Sequence, residues 1–192
     1  MPNTYERLNL IFVRIPKTGS TAINSWLKQY GEAKARHYTA MQLKRIVGDD
    51  WINMTSFAIL RNPWDRMVSI YYALRDRNKI DADMSFDEFV CGKVFVNAWK
   101  AVRPRVLLHQ HEYVLDDAGA IAVTTLGRFE NLQGDFAKIV MDAAGVSVPV
   151  LSRTRTTRPR QHADYRTIYT ENAAKVIASV FAKDVEIGEY TF

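Results

Sequence analysis

Cysteine is almost absent. Cys91 stands alone among 192 residues, so no disulfide can form within the chain and nothing points to an oxidising compartment. Glycine (9) and proline (6) are too few for a collagen-like repeat or a long flexible linker. There is no internal repeat and no low-complexity tract. Long apolar runs are missing as well. The longest near the start, Leu8 to Val13 with Asn9 inside it, is far shorter than a membrane span. It is also too short for a signal-peptide core and has no small-residue cleavage site behind it. These absences set the expectation of a cytoplasmic protein.

What remains is an ordinary globular mixture, 47% hydrophobic and 24% charged. A chain of this size buries about 70% of the surface it exposes when unfolded, enough for a core without staples. Its length predicts a single domain over residues 1–192. The balance of 26 Lys+Arg against 21 Asp+Glu, a formal charge of +5, favours anionic partners. Nucleotides, sulfated or phosphorylated sugars, nucleic acid and membrane surfaces all qualify, and charge alone does not choose among them.

Hydrophobic patterning alternates strand with helix. Leu8–Val13 predicts a strand buried on both faces. After a break at Pro16–Gly19, Ile23, Trp26, Leu27 and Tyr30 mark one face of a helix that Gly31 stops. Ser56–Leu60 predicts a second buried strand. Pro63 fits the first turn of the next helix, with Asp65 complementing its dipole and Met67, Ile70, Tyr71 and Leu74 as its stripe. Ala120–Leu126, ending at Gly127, is a third strand candidate, followed by a helix carrying Leu132, Phe136, Ile139, Val140 and Ala143. Ser85 with Glu88 forms a capping-box signature, and a last helix carries Ala173, Val176, Ile177, Val180 and Phe181. This order predicts an α/β fold with a mainly parallel sheet, whose strand-to-helix loops gather at one edge.

Two of those loops carry chemistry. Arg14-Ile15-Pro16-Lys17-Thr18-Gly19-Ser20-Thr21 lies between a buried strand and a helix start, where free backbone N–H groups and the helix dipole favour an anion. Gly19 lets the backbone approach a ligand, Lys17 brings a compact charge, and Ser20 and Thr21 bring hydroxyls. The Walker A pattern is absent, since the lysine precedes Gly19 and no first glycine stands before it. The second segment is Arg61-Asn62-Pro63-Trp64-Asp65-Arg66-Met67-Val68-Ser69. Here the Arg61 fork and the Ser69 hydroxyl suit a second phosphate. Arg66 has the alternative of pairing with Asp65 or another surface carboxylate.

The two motifs together resemble the carbohydrate sulfotransferase family, which includes heparan uronyl 2-O-sulfotransferases and bacterial relatives. The resemblance continues through Gly127-Arg128-Phe129-Glu130-Asn131-Leu132 with Asp135-Phe136, then Tyr169, and Phe181-Ala182-Lys183-Asp184 through Tyr190. It implies a P-loop nucleotide-kinase-like three-layer fold and the donor 3′-phosphoadenosine 5′-phosphosulfate (PAPS). It implies that Lys17, Thr18, Gly19, Ser20 and Thr21 wrap the 5′-phosphosulfate, with Arg14 matching an arginine of some members. Arg61 and Ser69 would take the 3′-phosphate. The acceptor it implies is a hydroxyl of a carbohydrate or glycoconjugate, membrane-linked acceptors included, served by a bacterial-type soluble enzyme.

Sulfuryl transfer asks for positioning and charge stabilisation, as phosphoryl transfer does. Lys17 is assigned to the bridging oxygen. No metal is expected, because His37, His109, His111 and His162 lack zinc-type spacing. The acceptor needs a base, and His37, between the donor motifs, is the first choice. His109 and His111, with Glu112 beside them, form the alternative, since i, i+2 spacing on a strand points both to one face. Arg153–Arg160 places four arginines in eight residues, either a loop closing over donor or acceptor or a solvated basic loop. Trp51, Trp64 and Trp99 are candidates for stacking on a sugar, with core packing as the alternative. Two rival functions remain, a P-loop-like kinase and a basic nucleic-acid-binding module, although no nucleic-acid partner is expected.

Overall fold

The computed structural model describes residues 3–31, 36–92, 109–152 and 164–192. Its contacts divide the chain into two compact units, Met1–Leu60 with Gln110–Arg155, and Arg61–His109 with Thr156–Phe192.

The first unit is built on a four-stranded sheet in the order β1-β2-β3-β4. β1 (Thr4–Tyr5) runs antiparallel to β2 (Leu10–Val13), while β2, β3 (Thr55–Leu60) and β4 (Thr125–Arg128) are parallel neighbours. All of β2 is fully buried, and β3 is buried from Ser56 to Leu60. Burial on both faces demands continuous apolar character rather than alternation, which is the pattern these segments show.

On one face, Leu10, Phe12, Phe57 and Ile59 meet Ile23 and Leu27 of α1 (Ser20–Leu27). The same face meets Phe136, Ile139 and Val140 of a later helix, Leu132–Ala144. Phe12 and Phe57 stack with centroids 4.6 Å apart, and Phe136 meets Trp26 edge-on at 5.4 Å. α2 (Ala40–Val47) starts with a complete capping box: Thr39 accepts from the Gln42 N–H while the Gln42 side chain accepts from the Thr39 N–H.

The second unit is helical among its described residues. α3 (Pro63–Arg75) begins where Asn62 accepts from the Trp64 and Asp65 N–H groups, with Pro63 in the first turn as expected. α4 (Phe86–Cys91) carries the Ser85–Glu88 capping box read from the sequence. Continuing in chain order, α5 (His111–Val114) and α6 (Leu132–Ala144) belong to the first unit, and α7 (Glu171–Val180) and α8 (Ala182–Gly188) to the second. Trp64 is a core residue whose Nε1–H donates to the Ala174 carbonyl at 3.0 Å. Its ring meets Phe192 edge to face, and the edge-to-face contacts continue from Phe192 to Tyr169, Phe86 and Tyr71.

Three expectations on element boundaries are corrected. Leu8 closes a 3-10 turn (Glu6–Leu8) and Asn9 follows in a left-handed conformation, so the first long strand starts at Leu10. β4 starts at Thr125 and runs through Gly127 rather than ending there. A Cβ at Gly127 would lie 2.7 Å from Ile59 and 3.1 Å from Asp135, so this glycine marks close strand–helix packing and not a stop. No strand passes through His109–His111. Tyr113 N–H bonds back to Gln110 O and Leu115 N–H to His111 O, a helical turn that buries the adjacent Tyr113 and Val114. Among the described residues, no helix is long and apolar enough to cross a membrane.

Candidate active site

β2 runs into the turn at Arg14, and two residues of that turn are left-handed: Lys17 (φ 69°) and Gly19 (φ 78°). A lysine in this region carries a strain of roughly 1–2 kcal/mol, which surrounding structure must sustain. The sustaining contacts are visible. Thr18 is fully buried and its hydroxyl donates to the Ile15 carbonyl at 3.0 Å, tying the turn to the strand. Gly19 then precedes α1 and accepts from Ala22 N–H, so the amides of Ser20 and Thr21 come before the first intrahelical bond. Ser20 is buried and Thr21 exposed; Lys17 is half-buried.

The turn rests on a part of the sequence to which no role was assigned. A Cβ at Gly19 would lie 2.6 Å from Leu132 Cδ2 and 3.2 Å from the Phe129 ring. That places the Phe129–Leu132 segment beneath the turn. The segment is itself braced by Asp135, whose carboxylate accepts from Arg128 N–H at 2.6 Å and from the Asn131 amide at 2.7 Å. Gly19→Ala should therefore combine a steric overlap with a left-handed Ala, costing about 2 kcal/mol. The expected result is a melting temperature lower by roughly 4–8 °C. An unchanged melting curve would contradict the left-handed turn packed on Leu132.

Arg14 is the most unusual charge in the first unit. Only 8% of it is exposed, and its Nε is buried with no hydrogen-bond partner. Among the described residues no carboxylate pairs with it. Burial pulls its pKa downward and the nearby Tyr5 phenol acts against that, yet an arginine stays protonated at any working pH. Tyr5 itself is pushed up to about 12, chiefly by burial, and its hydroxyl donates to Asn24. A buried guanidinium without an anion is costly, and an anionic ligand is the natural remedy.

In the second unit, Arg61 follows β3 directly in the chain and is 3% exposed. Its Nε and Nη2 both reach Asp65 Oδ2 at 2.8 Å. Asp65 is thus a partner of Arg61, four residues before it in the chain. Ser69 stands one turn beyond Asp65 on the same side of α3, while Arg61 reaches Asp65 from just before the helix. Burial drives the Tyr169 phenol far above its ordinary range, and the negative charge of Asp65 adds to the rise. Tyr169 accordingly stays a neutral donor, bonding the Trp64 carbonyl at 2.9 Å.

His37 is half-buried, with its Nδ1 2.8 Å from the Arg14 carbonyl oxygen. A carbonyl only accepts, so Nδ1 carries a proton, and in the neutral ring Nε2 then holds the lone pair. His109 is buried with its ring 4.9 Å from Phe181. His111 and Glu112 are half-buried in the first turn of α5. The Arg153–Arg160 stretch, Trp99 and His162 lie outside the described residues.

Comparison with known proteins adds to this geometry. No curated protein matches the sequence. Among solved structures, a sulfotransferase from Alicyclobacillus acidocaldarius is similar at 14% identity, covering 99% of each chain with a TM-score of 0.45. A family model described as "Sulfotransferase family" matches residues 3–191, nearly the whole chain, including both the Lys17 turn and the Arg61 segment. On that match the chain belongs to the sulfotransferase family, whose reaction is the transfer of a sulfuryl group.

Proposed function

We propose that the protein moves a sulfuryl group from PAPS to a hydroxyl of a carbohydrate or glycoconjugate and releases adenosine 3′,5′-bisphosphate (PAP). The observation that carries this reading is Arg14, a buried guanidinium with an orphaned Nε at the entry to the Lys17–Thr21 turn. The residues fit a phosphosulfate group in three further respects. Lys17 holds a strained conformation, Gly19 lets the turn pack directly on Leu132 and Phe129, and the Ser20 and Thr21 amides open α1. Arg61, just before α3, and Ser69 on α3 take the 3′-phosphate in the same reading, with Asp65 holding Arg61.

Each residue then has a defined task. Arg14, Lys17 and the turn amides, with Thr18 bracing the turn, bind and orient the phosphosulfate. His37 Nε2 takes the proton of the acceptor hydroxyl as its oxygen forms a bond to sulfur. Lys17 neutralises the bridging oxygen as the bond from sulfur to the 5′-phosphate breaks and the electron pair leaves with PAP. The scheme requires no metal ion. The carbohydrate class of the acceptor rests on the resemblance of the paired motifs to carbohydrate sulfotransferases.

Isothermal titration tests the donor. Tight PAP binding without magnesium is expected, together with weak binding of adenosine 5′-phosphate, which lacks the 3′-phosphate. Magnesium-dependent ATP binding would point to a kinase, and steeply salt-dependent binding of generic DNA or RNA to a nucleic-acid module. Transfer from sulfur-labelled PAPS onto a panel of glycans and small alcohols tests the acceptor. Label appearing only on non-carbohydrate alcohols would overturn that part of the reading.

A further inference from the structure

We propose that Asn3 is a positioning residue that fixes the protonation pattern of His37; the proposal rests on the reading of His37 as the acceptor's base. Asn3 is fully buried and left-handed at φ 57°, a conformation that asparagine tolerates better than any residue except glycine. Its own carbonyl accepts from Phe12 N–H at 2.9 Å, anchoring it to β2. Its side-chain amide then makes a two-way clamp on the residue before His37. Nδ2 donates to the Arg36 carbonyl at 2.8 Å, and Oδ1 accepts from Arg36 N–H at 3.2 Å.

The amide thus pairs with Arg36 as a neighbouring peptide group would in a sheet. Two residues beyond His37, the Thr39–Gln42 capping box holds the chain again at the start of α2. His37 is suspended between these two fixed points, which sets where its ring can reach. The ring then meets the Arg14 carbonyl through Nδ1, and Arg14 is the residue whose side chain is the buried cation of the donor turn. One short backbone stretch therefore links the base to the anion site. Without the Asn3 clamp, the Arg36 backbone can move, the Nδ1–H bond to Arg14 loosens, and Nε2 no longer reliably presents its lone pair.

The test reads the ring directly. Nitrogen-15 NMR of the imidazole, assigned with His37→Ala, should show the Nδ1–H tautomer in the unaltered protein. Asn3→Asp preserves shape and the bond from Arg36 N–H but cannot donate to the Arg36 carbonyl. Asn3→Gly removes the clamp, suits the left-handed backbone and adds no buried charge, so it serves where the aspartate variant fails to fold. In either folded variant the His37 signals should shift toward the Nε2–H tautomer favoured by free histidine. PAP affinity should stay within about threefold, because the Asn3 side chain bonds Arg36 and not a donor residue.

An unmoved tautomer in a folded Asn3 variant overturns the proposal, as does an Nε2–H ring in the unaltered protein. A parallel collapse of PAP affinity would do so too, by making Asn3 a support of the whole site. These results are separable from the role of the base. Full turnover by His37→Ala would remove that role without altering the tautomer result.

Discussion

Lys17→Ala should lower kcat by about 10²–10³ while PAP binding weakens by less than tenfold. The charge that Lys17 meets, on the oxygen bridging sulfur and the 5′-phosphate, is small in the bound donor and grows as the bond breaks. Its loss therefore falls on the transition state more than on the ground state. Backbone conformation sharpens the prediction. Lys17 sits at φ 69°, which costs energy for lysine and alanine alike but not for glycine. Lys17→Gly should be as inactive as Lys17→Ala and yet melt higher, by about 1 kcal/mol of stability. A strain that persists at the expense of stability is what a residue held for function would show. Steady-state kinetics with labelled donor and a thermal melt of both variants decide the matter. Turnover of Lys17→Ala within threefold of the unaltered protein would remove Lys17 from the reaction.

His37→Ala is expected to be as damaging, with kcat lower by about 10²–10⁴ and donor affinity unchanged. The argument is geometric. With Nδ1–H committed to the Arg14 carbonyl, the neutral ring offers Nε2 as its acceptor atom. A base works only when unprotonated, so kcat of the unaltered protein should fall under acidic conditions, where the imidazole carries both protons. The variant should lose that acid limb, its residual rate being nearly flat over the same range. Retention of both the rate and the acid limb would move the role elsewhere, first to His111 or Glu112 on the short helix α5. His109 is a poorer substitute, being buried with its ring against Phe181.

Much of this molecule is legible in its sequence, and the reasons are local. Buried parallel strands need unbroken apolar runs, so Ser56–Leu60 predicted β3 to within one residue. Helix starts carry their own chemistry, so Asn62-Pro63 and Ser85 with Glu88 marked α3 and α4 correctly. Where the sequence misled, a non-local contact was responsible. Leu8 is buried from a turn rather than a strand, and apolar character alone does not distinguish the two. Gly127 reads as a stop, yet Ile59 and Asp135 crowd it within the sheet. The i, i+2 pair His109 and His111 implies a strand only if the backbone is extended, and here it coils.

From residue order alone followed the alternation of strands and helices, the two basic strand-to-helix turns, and their likeness to the sulfotransferases. These depend on periodicity and on residues adjacent in the chain. Tertiary structure alone decided that Asp65 pairs with Arg61, that Phe129 and Leu132 lie under Gly19, and that Asn3 grips Arg36 across 33 positions. It likewise decided that Arg14 is buried, with no carboxylate paired to it among the described residues. Burial and partnership are properties of what comes together in space, and no single segment encodes them.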